Sequence, residues 1–409
     1  MKTFKKILFM FIFVMTLSLV ACSTPTGEVQ QNIIKNEITN QIVKYESVSV
    51  EDLQTAVTKT SEMVSQSVVG ITLKAIHTET IFGETVTSED IESIGSGVIY
   101  KRIEILDNQS KLIGYEYYVV TNRHVVTGSN SGYQYNTYVY FGEDDVEIKA
   151  EVMGVDPKVD IALVKFTHTR LIQPAEFGDS NEIKKGQFAI AIGNPSSYSY
   201  YDSVTFGVIS GELRYISEDF DGDNVNDFTA SYIQHDVSIN PGNSGGGLFT
   251  IDGKLIGINS LKIVGTNVDN MGFAIPSNVV RSIVENYLEK GLIPERPRLG
   301  ITGTPVRSLT NAIIAQQQLK PIPNLSEYAN TRPYGIYVVS VSPNTSITST
   351  DIQKDDIILA FNGIKLTDMN ILSALLNNLG DYMIGSEVEI TYYSRKLNKV
   401  LTTKLILKG

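Results

Sequence analysis

The chain has 409 residues, 42% of them hydrophobic, and a formal net charge of −11. That length and apolar content allow two or three domains with real cores. A charged fraction of 19% with an acidic balance offers no basic face to neutralise phosphates, which argues against a nucleic-acid partner.

The elements follow in chain order. Lys2, Lys5 and Lys6 precede an apolar stretch at 7–20, too short to be a comfortable membrane span. Next, Leu19-Val20-Ala21-Cys22 resembles a bacterial lipobox, in which cleavage precedes a cysteine that carries lipid. Cys22 is the only cysteine in the chain. Residues 1–21 therefore read as a lipoprotein signal peptide and Cys22 as the lipidation site, which leaves the mature chain without a disulfide. Residues 22–50 are polar and aperiodic and read as a flexible tether.

A short helix is expected at 52–67 and a strand at 68–73. From there to about residue 271, short apolar strands are broken by Gly, Asn, Asp and Ser, for example at 97–100, 117–121, 137–141, 161–165, 188–192 and 254–258. This indicates an all-β region large enough for two barrels side by side. Ser277 reads as the N-cap of a helix with Val279, Val280, Ile283, Val284, Tyr287 and Leu288 at helical spacing, stopped by Gly291. Pro294-Glu295-Arg296-Pro297 reads as a linker. Strands at 335–341, 356–361, 387–393 and 400–407, with a helix near 369–379 and a turn at Asn362-Gly363, form a smaller α+β region.

Three residues carry the chemistry. His124, one of only four histidines, follows the apolar strand at 117–121. Asp160 precedes another apolar strand, and Ser244 sits in the turn Asn240-Pro241-Gly242-Asn243-Ser244-Gly245-Gly246-Gly247. A hydroxyl becomes a nucleophile when a base takes its proton and N–H groups hold the developing oxyanion. The order His, Asp, Ser over a two-barrel-sized segment suits a base, its orienting acid and a nucleophile. Gly242-x-Ser244-x-Gly246 also matches the nucleophile elbow of α/β-hydrolases. That fold needs a histidine downstream of the serine, and none follows His235.

The motifs Gly95-Ser96-Gly97-Val98-Ile99, Thr121-Asn122-Arg123-His124-Val125-Val126, Asp160-Ile161-Ala162-Leu163-Val164-Lys165, Ile190-Ala191-Ile192-Gly193-Asn194-Pro195, Ser238 through Gly246, and Gly272-Phe273-Ala274-Ile275-Pro276-Ser277 resemble the HtrA/DegP-type serine proteases. The resemblance covers about residues 55 to 409. It implies a mainly β chain: two six-stranded antiparallel β-barrels of chymotrypsin type (51–293), followed by an α+β PDZ domain (298–409). It makes His124, Asp160 and Ser244 the catalytic triad and places Gly242, Asn243 and Ser244 at the oxyanion hole. Two departures stand out: Gly247 replaces a usual proline, and His235 stands where threonine is common. His235 reads as a partly exposed residue at a strand end.

The same resemblance makes Asn259, Ser260 and Leu261 the strand edge lining the specificity pocket, suited to an extended, unfolded polypeptide added as a strand. No acidic residue lies at 259–264, so the implied preference is for small or medium aliphatic residues. Arg298-Leu299-Gly300-Ile301 resembles the PDZ loop that receives a peptide C-terminus. The expected protein is a serine endopeptidase for misfolded proteins, on the extracytoplasmic face of the cell membrane through its lipid anchor. It needs no cofactor or metal, and the family implies a homotrimer. The alternative is a non-proteolytic chaperone or PDZ scaffold with an inactive protease domain. The acidic stretch 219–227 reads as a solvated hairpin loop, with a calcium site as the other reading.

Overall fold

The computed structural model describes residues 49–81, 84–141, 146–194, 200–218, 228–260, 270–310, 313, 316 and 334–409. The signal peptide, Cys22, Leu261 and the acidic stretch 219–227 lie outside these residues. The chain divides into a unit Met1–Leu53 and a unit Gln54–Gly409. The Ser49 hydroxyl accepts the Asp52 N–H at 3.0 Å, capping the helix α1 (Val50–Ser65).

Six strands then close a barrel. They are β1 (Val68–Ile81), β2 (Glu84–Leu106), β3 (Leu112–Asn122), β4 (Gln134–Tyr140), β5 (Ile148–Asp156) and β6 (Ile161–His168), in the order β1-β2-β3-β6-β5-β4. Side chains alternate across a strand, so one face of β3 and β6 (Val119, Val164) fills the barrel. The other face (Val120, Leu163) joins a core shared with the next sheet. Burial on both faces explains why these strands read as continuous apolar runs rather than alternating ones.

The second sheet has seven strands: β7 (Glu176–Phe177), β8 (Phe188–Gly193), β9 (Ser203–Glu218), β10 (Phe228–His235), β11 (Gly247–Thr250), β12 (Lys254–Ser260) and β13 (Gly272–Pro276). Their order is β11-β8-β9-β10-β13-β12-β7, with β11 also paired to β12. The expected pair of six-stranded barrels is thus met in the first half, while the second half is a seven-stranded sheet. The helix α3 (Ser277–Lys290) follows, its Val279, Val280, Ile283 and Val284 buried and its end capped by left-handed Gly291. Ser277 is not its cap as expected: the Ser277 hydroxyl donates instead to the Gly178 carbonyl at 2.9 Å, tying the helix start to the sheet.

A third sheet orders β14 (Ile301–Pro305), β15 (Ile336–Val341), β16 (Ile357–Phe361), β18 (Glu387–Ser394) and β19 (Lys399–Ile406), with β17 (Ile364–Lys365) on β16. The helix α4 (Met369–Asn377) covers it through Leu372 and Leu375. Arg296 joins this region to the first barrel. Its guanidinium meets Asp156 Oδ2 at 2.5 Å and donates to the carbonyls of Asn377 and Pro294. The segment read as a linker is therefore a clamp.

Candidate active site

Asn122, the last residue of β3, is the register partner of Ile161, the first of β6. This pairing sets the short helix α2 (Arg123–Val126) beside the turn holding Asp160. Asp160 has φ 58°, a left-handed conformation that aspartate tolerates better than most residues. Asn122 Nδ2 and the Arg123 N–H hold its carbonyl at 3.1 and 3.0 Å. The His124 N–H donates to Oδ1 at 3.0 Å, and His124 Nδ1 lies 2.7 Å from Oδ2. A carboxylate only accepts, so the ring proton sits on Nδ1 and Nε2 is left as an acceptor.

Ser244 occupies the connection between β10 and β11 and is 4% exposed. Two internal bonds tighten this turn, from Asn243 N–H to the Asn240 carbonyl at 3.0 Å and from Gly246 N–H to the Asn243 carbonyl at 2.9 Å. Ser96 on β2 pins it from the barrel side: its N–H donates to the Ser244 carbonyl at 2.8 Å and its hydroxyl to the Gly242 carbonyl at 2.6 Å. Gly245 has φ +85°, and a Cβ there would lie 2.1 Å from the Ser96 carbonyl oxygen and 2.2 Å from Thr121 Oγ1. Only glycine fits. The two halves of the site meet at Gly95, whose side-chain position is filled by Val125 (2.6 Å), beside His124, and by the Ser244 carbonyl (3.1 Å). The positioning role of Ser96 was not legible; its place between two glycines, Gly95 and Gly97, is the one hint of close packing.

Two site expectations are corrected. The Asn243 N–H is engaged inside the turn on Asn240, so it does not donate into an oxyanion hole. Asn259 is not at a free strand edge: its N–H donates to Gly246 and its carbonyl accepts from Gly245, each at 2.9 Å, while its side chain donates to Gly247 at 3.1 Å. It braces the turn holding Ser244, and among the described residues of that stretch Ser260, the last residue of β12, stands beyond these bonds.

His235, read as partly exposed, is fully buried. It pairs with Gly272, and a Cβ on that glycine would lie 2.2 Å from His235 Cε1. Among the described residues, neither ring nitrogen reaches hydrogen-bonding geometry. Burial pushes the ring's pKa down from 6.5 to about 4. The folded ring stays neutral while an unfolded one would protonate, so stability is lost as pH falls from 6.5 towards 4, by about 3 kcal/mol in all. Urea denaturation of His235→Thr should show a flatter stability profile over that window than the wild type. Equal slopes would refute the assignment.

Arg298, Leu299, Gly300 and Ile301 lie together at the start of β14 and face α4 across a groove. The Leu299 and Gly300 carbonyls accept from Ile347 and Ser342 at 3.0 and 2.8 Å.

Residues 95–258 match the trypsin-like peptidase domain, and residues 297–405 match the PDZ domain. The fold and site thus define a mainly β serine endopeptidase with a chymotrypsin-like protease domain followed by a PDZ domain. The chain is 34% identical over 346 residues to the serine protease Do-like HtrA of Bacillus subtilis (strain 168), covering 81% of this chain and 69% of that protein. It is 34% identical over 321 residues to the serine protease Do-like HtrA of Lactobacillus helveticus, covering 78% and 69%. The solved HtrA-type protease AlgW with decapeptide superposes with a TM-score of 0.55 at 22% identity, covering 86% of this chain and 98% of that one, which speaks for the fold. The chain belongs to the HtrA-type serine proteases.

Proposed function

We propose that Ser244 attacks the peptide carbonyl while His124 Nε2 takes its proton, with Asp160 fixing the ring's tautomer and orientation. The observation that carries this reading is the Asp160 carboxylate holding both the N–H and Nδ1 of His124. His124 later returns the proton to the leaving amine, and water then releases the acyl group from Ser244. The N–H groups of Gly242 and Ser244 are the oxyanion donors in this scheme; removing one such donor typically costs about 3 kcal/mol of transition-state stabilisation. The β11 to β12 pairing supports reading the core of the second sheet as the second six-stranded barrel.

The substrates are unfolded or misfolded extracytoplasmic polypeptides, entering as an extended strand alongside Ser260. The PDZ groove takes C-terminal peptides, a reading supported by AlgW having been solved with a decapeptide. Residues 1–21 are the signal, 22–50 the tether, 51–293 the protease domain and 298–409 the PDZ domain. Cys22 carries the lipid that holds the protein to the membrane as a trimer.

Expressed in cells, the wild type should fractionate with membranes and digest casein. Ser244→Ala should fractionate alike but leave casein intact, and Cys22→Ser should digest casein from the soluble fraction. Equal digestion by wild type and Ser244→Ala, or by neither, would refute the mechanism. Membrane retention of Cys22→Ser would refute the anchor.

A further inference from the structure

The groove beside β14 has a volume of about 780 Å³, and its walls come from two domains. The apolar sides are Leu299 and Ile301 on one flank and Leu372 and Leu376 of α4 on the other. The third wall is the turn at 156–158 in the first barrel, between β5 and β6.

The loop has the layout of an anion cradle. Its Leu299 and Gly300 carbonyls are drawn back onto Ile347 and Ser342. Among the described residues, the N–H groups of Leu299 and Gly300 donate to no backbone carbonyl. Gly300 has φ +87°, and Thr345 fills the space a Cβ would need. Successive N–H groups on one side of such a turn attract an anion, but they bring only partial charge. A full counter-charge must come from the rim.

Three cations line the groove: Lys158, Arg296 and Arg298. Arg296 is engaged by Asp156. Glu295 lines the rim too and opposes an anion there. Lys158 and Arg298 are exposed, and among the described residues neither is in an ion pair. The Lys158 N–H donates to Asp156 Oδ1 at 2.9 Å, which fixes the base of that side chain at the groove wall. Asp156 is itself held by Arg296, so the lysine is mounted on a rigid turn.

We propose that Lys158, a residue of the protease domain, completes the carboxylate site of the PDZ groove, with Arg298 as its partner. This rests on the peptide-binding reading given above and adds to it a residue from outside the PDZ domain. The ligand class is a peptide with a free C-terminal carboxylate and an aliphatic last side chain. The carboxylate meets the loop N–H groups and the Lys158 ammonium, and the aliphatic side chain enters between Ile301 and Leu376. A PDZ domain cut from this chain would keep the loop and lose the lysine.

The test uses the full chain carrying Ser244→Ala, so that no probe is cleaved. A fluorescein-labelled heptapeptide ending in Val-Leu is titrated as the free acid and as the C-terminal amide. The free acid should bind about tenfold more tightly than the amide, since charge-assisted hydrogen bonds need the carboxylate. Lys158→Gln should weaken the free acid about fivefold to tenfold and leave the amide unchanged, while Lys158→Arg should restore most of the affinity. Free-acid binding indifferent to Lys158→Gln overturns the proposal and leaves the peptide-binding reading standing. Failure of every form to bind either peptide overturns both.

Discussion

Asp160→Asn should lower kcat on casein about 10⁴-fold while leaving the fold intact. The carboxylate uses both oxygens as acceptors, one for the His124 N–H and one for Nδ1. An amide has a single oxygen. If that oxygen keeps the backbone N–H, the amide NH₂ faces Nδ1 and can only donate to it. The ring proton then moves to Nε2, which can no longer take a proton from Ser244. Asparagine accepts the left-handed φ of 58° as readily as aspartate, so backbone strain does not confuse the outcome. Activity within tenfold of the wild type, with unchanged melting, would mean that Asp160 does not set the tautomer.

Arg296→Met should destabilise the chain by about 3–5 kcal/mol, read as a lower urea midpoint. The Asp156 side chain is completely buried, and Arg296 supplies its counter-charge. Methionine fills similar volume but leaves the carboxylate unpaired in a low-dielectric setting. Adding Asp156→Asn should recover much of the loss, because the uncompensated charge goes with it. The effect should persist in high salt, as screening hardly reaches a buried pair. A midpoint close to the wild type would show that the clamp contributes little.

The strands were legible because they depend on local pattern, and the structure does bring His124 and Asp160 together as their chain order suggests. The apolar runs at 117–121 and 161–165 fall inside β3 and β6, and β15, β16, β18 and β19 begin and end within a residue or two of their expected bounds, while β14 and β17 were not anticipated. His124, Asp160 and Ser244 declared themselves by chain order among few histidines. Apart from the local Asn243 to Asn240 bond, what escaped depends on partners distant in sequence. The burial of His235 follows from its pairing with Gly272, whose missing side chain makes room for the ring. Arg296 sits between prolines and looks like spacer until β5 delivers Asp156 to it. Asn259 was expected at an edge, but the turn at 245–246 folds back and takes both its main-chain groups. Hydrogen-bond traffic of this kind leaves no periodic trace.

The pairing of β3 with β6 has a consequence for the order of folding. His124 follows one strand and Asp160 precedes the other, with β4 and β5 inserted between them in the chain. Closing that loop is entropically costly and depends on non-local contacts, which form late compared with hairpins. A slip of one residue along the ladder would displace Asp160 from His124 by about 3.3 Å and turn every side chain to the wrong face. The Asp160 carboxylate therefore meets the His124 ring only when β3 and β6 pair in this register.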